Sequence, residues 1–412
     1  MFYFQNIQAE QIIHWSDKEP TGAIGWIVID KKINKVAGGG LFMHKDASLK
    51  EVQDLARSMT YKNSLQEIPF GGGKGGIKFD HNDIRAKEVL ERFLQDHKNI
   101  LEDVWCTGAD LNTTNDQINH IVKMKLGMAS PFISLAKMLK KVNNVTFNTK
   151  VFEGCLTFPA QGIFTLETSI TGYILAQTIK LLTNKENSLS PRIVIQGFGT
   201  VGKSLAYFIQ QEKIGTIVGI CDKDSYIINN KGINIDIHLA AEKDNTHVFN
   251  VNAEERIIKK SANIKNNNEF LKEFLLNVKA DVFSPCANRY SINEEILGVL
   301  IKNCFTASNR KYIISGANNV FSTIELVEKA INNDIIFLPE WVSNCGNALL
   351  FQDSLKQSHI PDNWEHIIQN NIKSRVYNFI NNAHDIASRK NKSLYYACHE
   401  VALEIIKQTS NN

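Results

Sequence analysis

Two lysines and one aspartate carry the first hint of chemistry. Lys74 lies in Pro69-Phe-Gly-Gly-Gly-Lys-Gly-Gly-Ile77, with glycine on both sides. Such a setting lets backbone approach a ligand and leaves the ammonium in a confined space. Burial, or a second cation nearby, lowers a lysine's pKa and frees it to act as a base near neutral pH. Lys62, twelve residues earlier, is a candidate for that cation. A lone lysine is ordinarily a solvated surface group; the glycines reverse that reading here. Asp110 stands in the polar run Thr107-Gly-Ala-Asp-Leu-Asn-Thr-Thr114, where bare sequence reads it as a helix cap or turn residue. The eleven histidines show no ligand spacing, so no metal is assigned.

A second constellation is Gly197-Phe198-Gly199-Thr200-Val201-Gly202, a G-x-G-x-x-G. Alone the pattern is weak, because glycine pairs are common in turns. Here it follows a β-branched run, Arg192-Ile-Val-Ile-Gln196, and opens a helix whose Val201, Leu205 and Phe208 share a face. A second strand, Thr216–Ile220, leads to Asp222, twenty positions after the last glycine. The glycines would supply a tight turn, room for a pyrophosphate and close helix–strand contact. The phosphates would sit on the helix N-terminus, and Asp222 would accept the adenosine ribose hydroxyls. That acid disfavours a 2′-phosphate, so NAD is preferred over NADP, with Lys223 beside it weakening the preference.

The elements that must position these residues can be read as well. Gly25–Asp30 and Lys35–Ala37 read as strands joined by a polar turn. Ser48-Leu-Lys-Glu51 fits a capping box opening a helix with Val52, Leu55, Ala56 and Met59 on one face, which delivers Tyr61-Lys62-Asn63 at its end. Further helices are expected over 86–95 and 170–182, and a short extended piece over 103–106. A polar linker, TNKENSLS, precedes the glycine loop, and an Asn/Lys-rich interlude falls near 262–269. Strand and helix alternate from about 190 to 320, which predicts a parallel sheet with helices on both faces. From Trp364 onward the chain is helical, and Leu394, Ala397, Cys398, Val401 and Ile405 form a stripe expected to pack in the core.

Composition bounds the function. The chain has 412 residues, enough for two domains, and a formal net charge of +3, with 43% hydrophobic and 22% charged residues. This excludes a disordered chain and a polybasic nucleic-acid binder. Seven widely spaced cysteines without Cys-x-x-Cys argue against a disulfide framework. The N-terminal segment lacks the pattern of a signal peptide, and no apolar run reaches membrane-span length. A soluble cytoplasmic protein without nucleic-acid or membrane partners is expected.

Together these pieces resemble the glutamate/leucine/phenylalanine/valine dehydrogenase family. The resemblance runs through Ala37–Phe42, Met59–Asn63, Gly71–Gly76, Thr107–Asp110, the Rossmann loop, Ser284–Ala287, Ser315–Asn319 and Leu338–Gly346, in the family's order. It implies an α/β protein of two domains around a cleft. Residues 1–145, completed by the C-terminal helices 348–412, would bind substrate, and residues 146–347 would form the Rossmann NAD-binding domain. It further implies that Lys62 binds the substrate α-carboxylate, Lys74 is the base that activates water, and Asp110 shuttles a proton. Thr171 and Asn319 would contact the cofactor's nicotinamide half and the substrate. The reaction would be reversible NAD-dependent oxidative deamination of an L-amino acid to a 2-oxo acid and ammonia, by a homo-oligomer.

Glutamate-specific members place a lysine where this chain has Gly38, just before Gly39, and a serine at Phe351. Both partners for a γ-carboxylate are thereby lost, and an unpaired buried carboxylate is costly. Gly108 and Ala348 leave room for a large apolar side chain, so an aromatic or branched-chain amino acid is expected. Three departures stand out: Phe42 replaces an arginine, Asn288-Arg289 replaces leucine-glycine, and Asn347 adds a polar side chain beside the expected pocket, where it could hydrogen-bond an indole or phenol. Two other functions compete: a glutamate dehydrogenase, opposed by Gly38 and Phe351, and an NAD-binding regulatory protein without turnover, opposed by retention of Lys62, Lys74 and Asp110 together.

Overall fold

The computed structural model describes residues 8–144, 146–183, 190–240, 249, 257–261, 266–305 and 311–410. The linker at 184–189 and the interlude at 262–265 lie outside the described residues.

Alternating apolar residues near the N-terminus build a first sheet. Its strands are β1 (Gln11–Ser16), β2 (Ile24–Lys31), β3 (Ala37–Gly38), β4 (Leu41–Met43), β5 (Gly71–Lys78) and β6 (Trp105–Cys106), in the order β1-β2-β5-β3-β6 with β4 also on β5. β2 runs antiparallel to both β1 and β5, whereas β3 and β4 run parallel to β5. The strand expected over Lys35–Ala37 is displaced: Asn34 and Lys35 have positive φ and form the turn, and pairing begins at Ala37.

The glycine-rich segment around Lys74 is the strand β5, in the middle of the sheet. Its glycines admit protein. A Cβ at Gly73 would lie 2.9 Å from the Trp105 ring, and one at Gly75 2.6 Å from it. At Gly72 a Cβ would run into the backbone of Thr60 and Ala56, so the helix Leu49–Asn63 lies directly on the strand. That helix starts as expected, with Ser48 accepting from the Glu51 N–H. Only this half of the capping box forms, because the Glu51 carboxylate is engaged elsewhere (below).

The second sheet holds β7 (Arg192–Gln196), β8 (Thr216–Cys221), β9 (Ser225–Ile228), β10 (Ile257–Lys259), β11 (Val282–Pro285), β12 (Tyr312–Ile313) and β13 (Ile336–Phe337), in the order β10-β9-β8-β7-β11-β12-β13. The expectation of a wholly parallel sheet needs correction. β8 through β13 pair in parallel across β7, β11 and β12, but β9 turns back antiparallel on β8, and β10 is antiparallel to β9. The β8–β9 link is too short for a helical crossover, so the chain can only reverse. Helix Leu166–Thr183 packs against helix Thr200–Gln211 at Gly172, which has no side chain to hold them apart. The C-terminal helices Trp364–Lys390 and Leu394–Ser410 pack on each other, and the stripe from Leu394 to Val401 is buried. Among the described residues no helix is long and apolar enough to cross a membrane.

Candidate active site

A cleft of about 690 Å³ opens between the two sheets. Lys62 reaches it from the last turn of helix Leu49–Asn63, Lys74 from the middle of β5 and Asp110 from the loop after β6. Both lysines are buried, at 7% and 3% exposure. The Lys74 ammonium pairs directly with Asp110 Oδ2. Lys62 Nζ lies 3.4 Å from Asn318 Oδ1, which also accepts from Asn344 Nδ2 at 2.9 Å.

Asp110 is not the helix cap that bare sequence allows. Thr114 takes that part, forming a full capping box with Gln117. Asp110 is left free to turn inward, and its loop is pinned from several sides. The Asp110 N–H donates to Leu41 O and Thr113 Oγ1, and Ala109 N–H donates to Asn115 Oδ1. Gly40 makes the space: a Cβ there would approach Asp110 Cβ to 3.1 Å.

Burial works against the charged form of all three groups. It lowers Lys62 to about 8, with the Lys74 ammonium adding to the effect. It lowers Lys74 as well, helped by the Arg289 guanidinium and opposed by Asp110. Burial alone would raise Asp110, but Lys74, Arg289 and the Leu111 N–H together hold its carboxyl below the usual range.

One wall of the cleft is apolar. Phe70, Cys106, Phe132 and Leu135 belong to one buried cluster, and Phe351 packs on it with its ring centroid 4.9 Å from that of Phe132. A Cβ at Gly38 would lie 2.6 Å from both Cys106 Sγ and the Phe70 ring, so these groups occupy the place where a side chain at 38 would begin. Gly39, Gly108 and Ala348 also line the cleft. The only charged side chains on its lining, among the described residues, are Lys62, Lys74, Asp110 and Arg289.

The opposite wall carries the glycine loop. Gly197 sits at φ +93°, a conformation that favours glycine, and a Cβ at Gly202 would run into Gly197 O. Before Gly199 there is open space, where an added Cβ meets nothing within 4 Å. Open space over the N-terminus of helix Thr200–Gln211 suits a pyrophosphate held by backbone N–H groups. Asp222 ends β8 half-buried, and neighbouring Lys223 is 3.7 Å from Asp224. Thr171, Thr200 and Val201 line the cleft. Two expected positions differ. Phe198 turns its ring into the core against Phe249, leaving only its backbone to the loop. Asn319 is absent from the lining: its N–H donates to Glu340 at 2.8 Å, and it is Asn318 that faces the lysines. Asn319 itself has a left-handed φ of 50°.

Sequence reasoning passed over Phe70, Phe132 and Leu135, whose apolar character marks them only as core. It also gave no place to the Arg289 side chain, which reaches the site from the far sheet.

Comparison with known proteins adds the following. The family described as Glutamate/Leucine/Phenylalanine/Valine dehydrogenase matches residues 162–412, and the Glu/Leu/Phe/Val dehydrogenase dimerisation domain matches residues 7–125. The NADP-specific glutamate dehydrogenase of Chlorella sorokiniana is 27% identical over 338 residues, covering 79% of this chain and 58% of its own length. Among solved structures, the Leu-bound hetero-hexameric glutamate dehydrogenase of Thermus thermophilus shares the fold at TM-score 0.71 and 16% identity, covering 98% of this chain and 89% of that one. The L-tryptophan dehydrogenase of Nostoc punctiforme does so at TM-score 0.59 and 18% identity, covering 99% and 98%.

Proposed function

The chain belongs to the glutamate/leucine/phenylalanine/valine dehydrogenase family, and from that premise we propose that it catalyses reversible, NAD-dependent oxidative deamination of an apolar L-amino acid, aromatic or branched-chain. One observation carries the reading: the buried Lys62 and Lys74 and the half-buried Asp110 share a cleft with an apolar wall that offers no cation to a second carboxylate. The substrate-binding domain is 1–145 with 348–412, and the Rossmann domain is 146–347.

In this reading Lys62 holds the α-carboxylate, with Asn318 aligning its ammonium. The α-amino group lies at Asp110, which takes and returns its proton. The glycine loop Gly197–Gly202 would hold NAD, which would supply the acceptor for the hydride from the substrate Cα. Lys74, whose pKa burial lowers, removes a proton from the water that adds to the resulting imine. It then protonates the departing ammonia as the carbinolamine collapses to the 2-oxo acid. The amino acid, oxidised cofactor and water are thus converted to 2-oxo acid, ammonium, reduced cofactor and a proton. The side chain lies against Phe70, Phe132, Leu135 and Phe351, with Gly108 and Ala348 leaving room for bulk. Asp222 at the end of β8 opposes a 2′-phosphate, which supports NAD, in contrast to the cofactor in the name of the Chlorella enzyme. A cytoplasmic homo-oligomer completes the reading.

The test follows consumption of NADH and of NADPH with ammonia and phenylpyruvate, indolepyruvate, 4-methyl-2-oxovalerate, 3-methyl-2-oxobutyrate or 2-oxoglutarate. Turnover of an apolar acid, lost in Lys74→Ala and Asp110→Asn, is expected. Preference for 2-oxoglutarate would overturn the substrate assignment. NADH binding without turnover of any acid would favour a regulatory protein.

A further inference from the structure

Arg289 leaves the second sheet just after β11 and crosses to the first. Its side chain is 12% exposed and ends among three groups. One guanidinium nitrogen pairs with Glu51 in the first turn of helix Leu49–Asn63, and another lies 3.4 Å from Asp110 Oδ1. Its central carbon sits 4.8 Å above the ring of Phe42 in β4. Arg289 therefore spans the cleft, and its three partners come from β4, helix Leu49–Asn63 and the loop after β6. Asp110 has one oxygen on Lys74 and the other facing Arg289.

Two features separate this from an incidental surface pair. The guanidinium meets two carboxylates with its central carbon over an aromatic ring, and its fork can serve both at once where a point-charge ammonium cannot. Glu51 also forgoes the second half of its own capping box to reach Arg289. Both are consistent with the two departures noted in the sequence, Phe42 and Asn288-Arg289, which meet face to face in the structure.

The geometry points to Arg289 as a positioning residue that ties the cleft shut through Glu51 and Phe42 and, from that closed position, sets where the proton lies between Lys74 and Asp110. Only the catalytic part of this inference rests on the proposed dehydrogenase activity. The charged groups around the pair are Lys74 from β5, Arg289 from the loop after β11, and Glu51 and Lys62 from helix Leu49–Asn63, with the Leu111 N–H on Asp110. Removing the guanidinium takes a positive charge away from both members of the pair, so the pKa of each rises. A pH–rate profile limited by deprotonation of either must then move to higher pH.

The test uses the full chain and the variants Arg289→Gln, Arg289→Lys, Glu51→Gln and Phe42→Leu. Arg289→Gln should lower kcat by about a hundredfold, the scale of a misplaced catalytic group, and move the acid limb of kcat/KM upward while the KM for NADH stays within about twofold. Arg289→Lys should keep the acid limb and lose kcat, because charge survives and the fork does not. Glu51→Gln should lower kcat without raising the limb. Without substrate, hydrogen exchange should quicken at 286–292 and over helix Leu49–Asn63 in Arg289→Gln. If Arg289→Gln does not fold, Phe42→Leu, which keeps every charge, should show the faster exchange. An unmoved acid limb in an active Arg289→Gln overturns the proposal, as does unchanged exchange. Absence of turnover in the unaltered chain would sink the dehydrogenase reading, and the exchange result would then decide the tie by itself.

Discussion

Replacing Phe351 with serine probes the wall that sets substrate choice. In the unaltered chain the γ-carboxylate of 2-oxoglutarate would lie against Phe70, Cys106, Phe132, Leu135 and Phe351. The lining cations are already engaged, Lys74 and Arg289 with carboxylates and Lys62 with Asn318. An ion left unpaired in such a place costs several kcal/mol, taken here as about 3–5. At about 1.4 kcal/mol per decade, kcat/KM for 2-oxoglutarate should fall roughly 10²–10⁴ below that for phenylpyruvate. Serine at 351 offers one hydroxyl, and a hydrogen bond to a charged group contributes about 1.5–3 kcal/mol, which recovers roughly ten- to a hundredfold. The same change removes a ring from the wall, and loss of an aromatic contact of about 0.5–1.5 kcal/mol should slow phenylpyruvate by up to about tenfold. The ratio moves toward glutamate chemistry without reaching it. Adding Gly38→Lys should not complete the switch, because its Cβ would lie 2.6 Å from both Cys106 Sγ and the Phe70 ring. The assay is initial rates with the two acids at saturating ammonia and NADH, beside the melting temperature as a folding check. A parent chain that handles both acids within tenfold of each other would refute the reasoning, since that wall could not then be where the side chain lies.

Other measurements bear on the remaining parts. Lys62 is lowered to about 8 by burial, so the free enzyme loses this cation as pH rises through that value. Above it kcat/KM for the 2-oxo acid should fall about tenfold per pH unit, and Lys62→Met should be slow with no such step. Gly199→Ala should fold normally, since its new methyl meets nothing, yet weaken NADH binding by about tenfold or more by filling the space over the helix terminus. Gly202→Ala should instead lower the melting temperature, because its Cβ runs into Gly197 O; equal effects of the two would contradict the loop geometry. Gly108→Ala should fold, with its methyl 3.5 Å from the Phe132 ring and 3.4 Å from Asn115 Oδ1. It should favour branched-chain over aromatic acids by about tenfold or more in kcat/KM, the worth of one methyl in a tight pocket. Unchanged selectivity would move the side-chain pocket away from Gly108.

Local chemistry made much of the protein legible in its sequence. Ser48 announced the helix that carries Lys62 in its last turn, and the β-branched run before Gly197 announced the strand and turn of the glycine loop, because caps and tight turns depend on residues only a few positions apart. The glycines around Lys74, with Lys62 twelve residues earlier, marked the site, whereas Asp110 joined it only through the family resemblance, because alone it reads as a cap or turn residue. What depended on distant contacts was not readable. The glycines around Lys74 suggested close approach of a ligand, but the room they leave is claimed by Trp105 and helix Leu49–Asn63. That Asn318 faces the cleft and Asn319 binds Glu340 was not readable, and the second sheet's antiparallel edge turned on the brevity of one connection. Arg289 shows the difference most plainly. Its meeting with Glu51, Phe42 and Asp110 spans 238, 247 and 179 positions of chain, and no local rule connects residues that far apart. Only the approach of the two sheets brings a guanidinium to an aromatic face and two carboxylates.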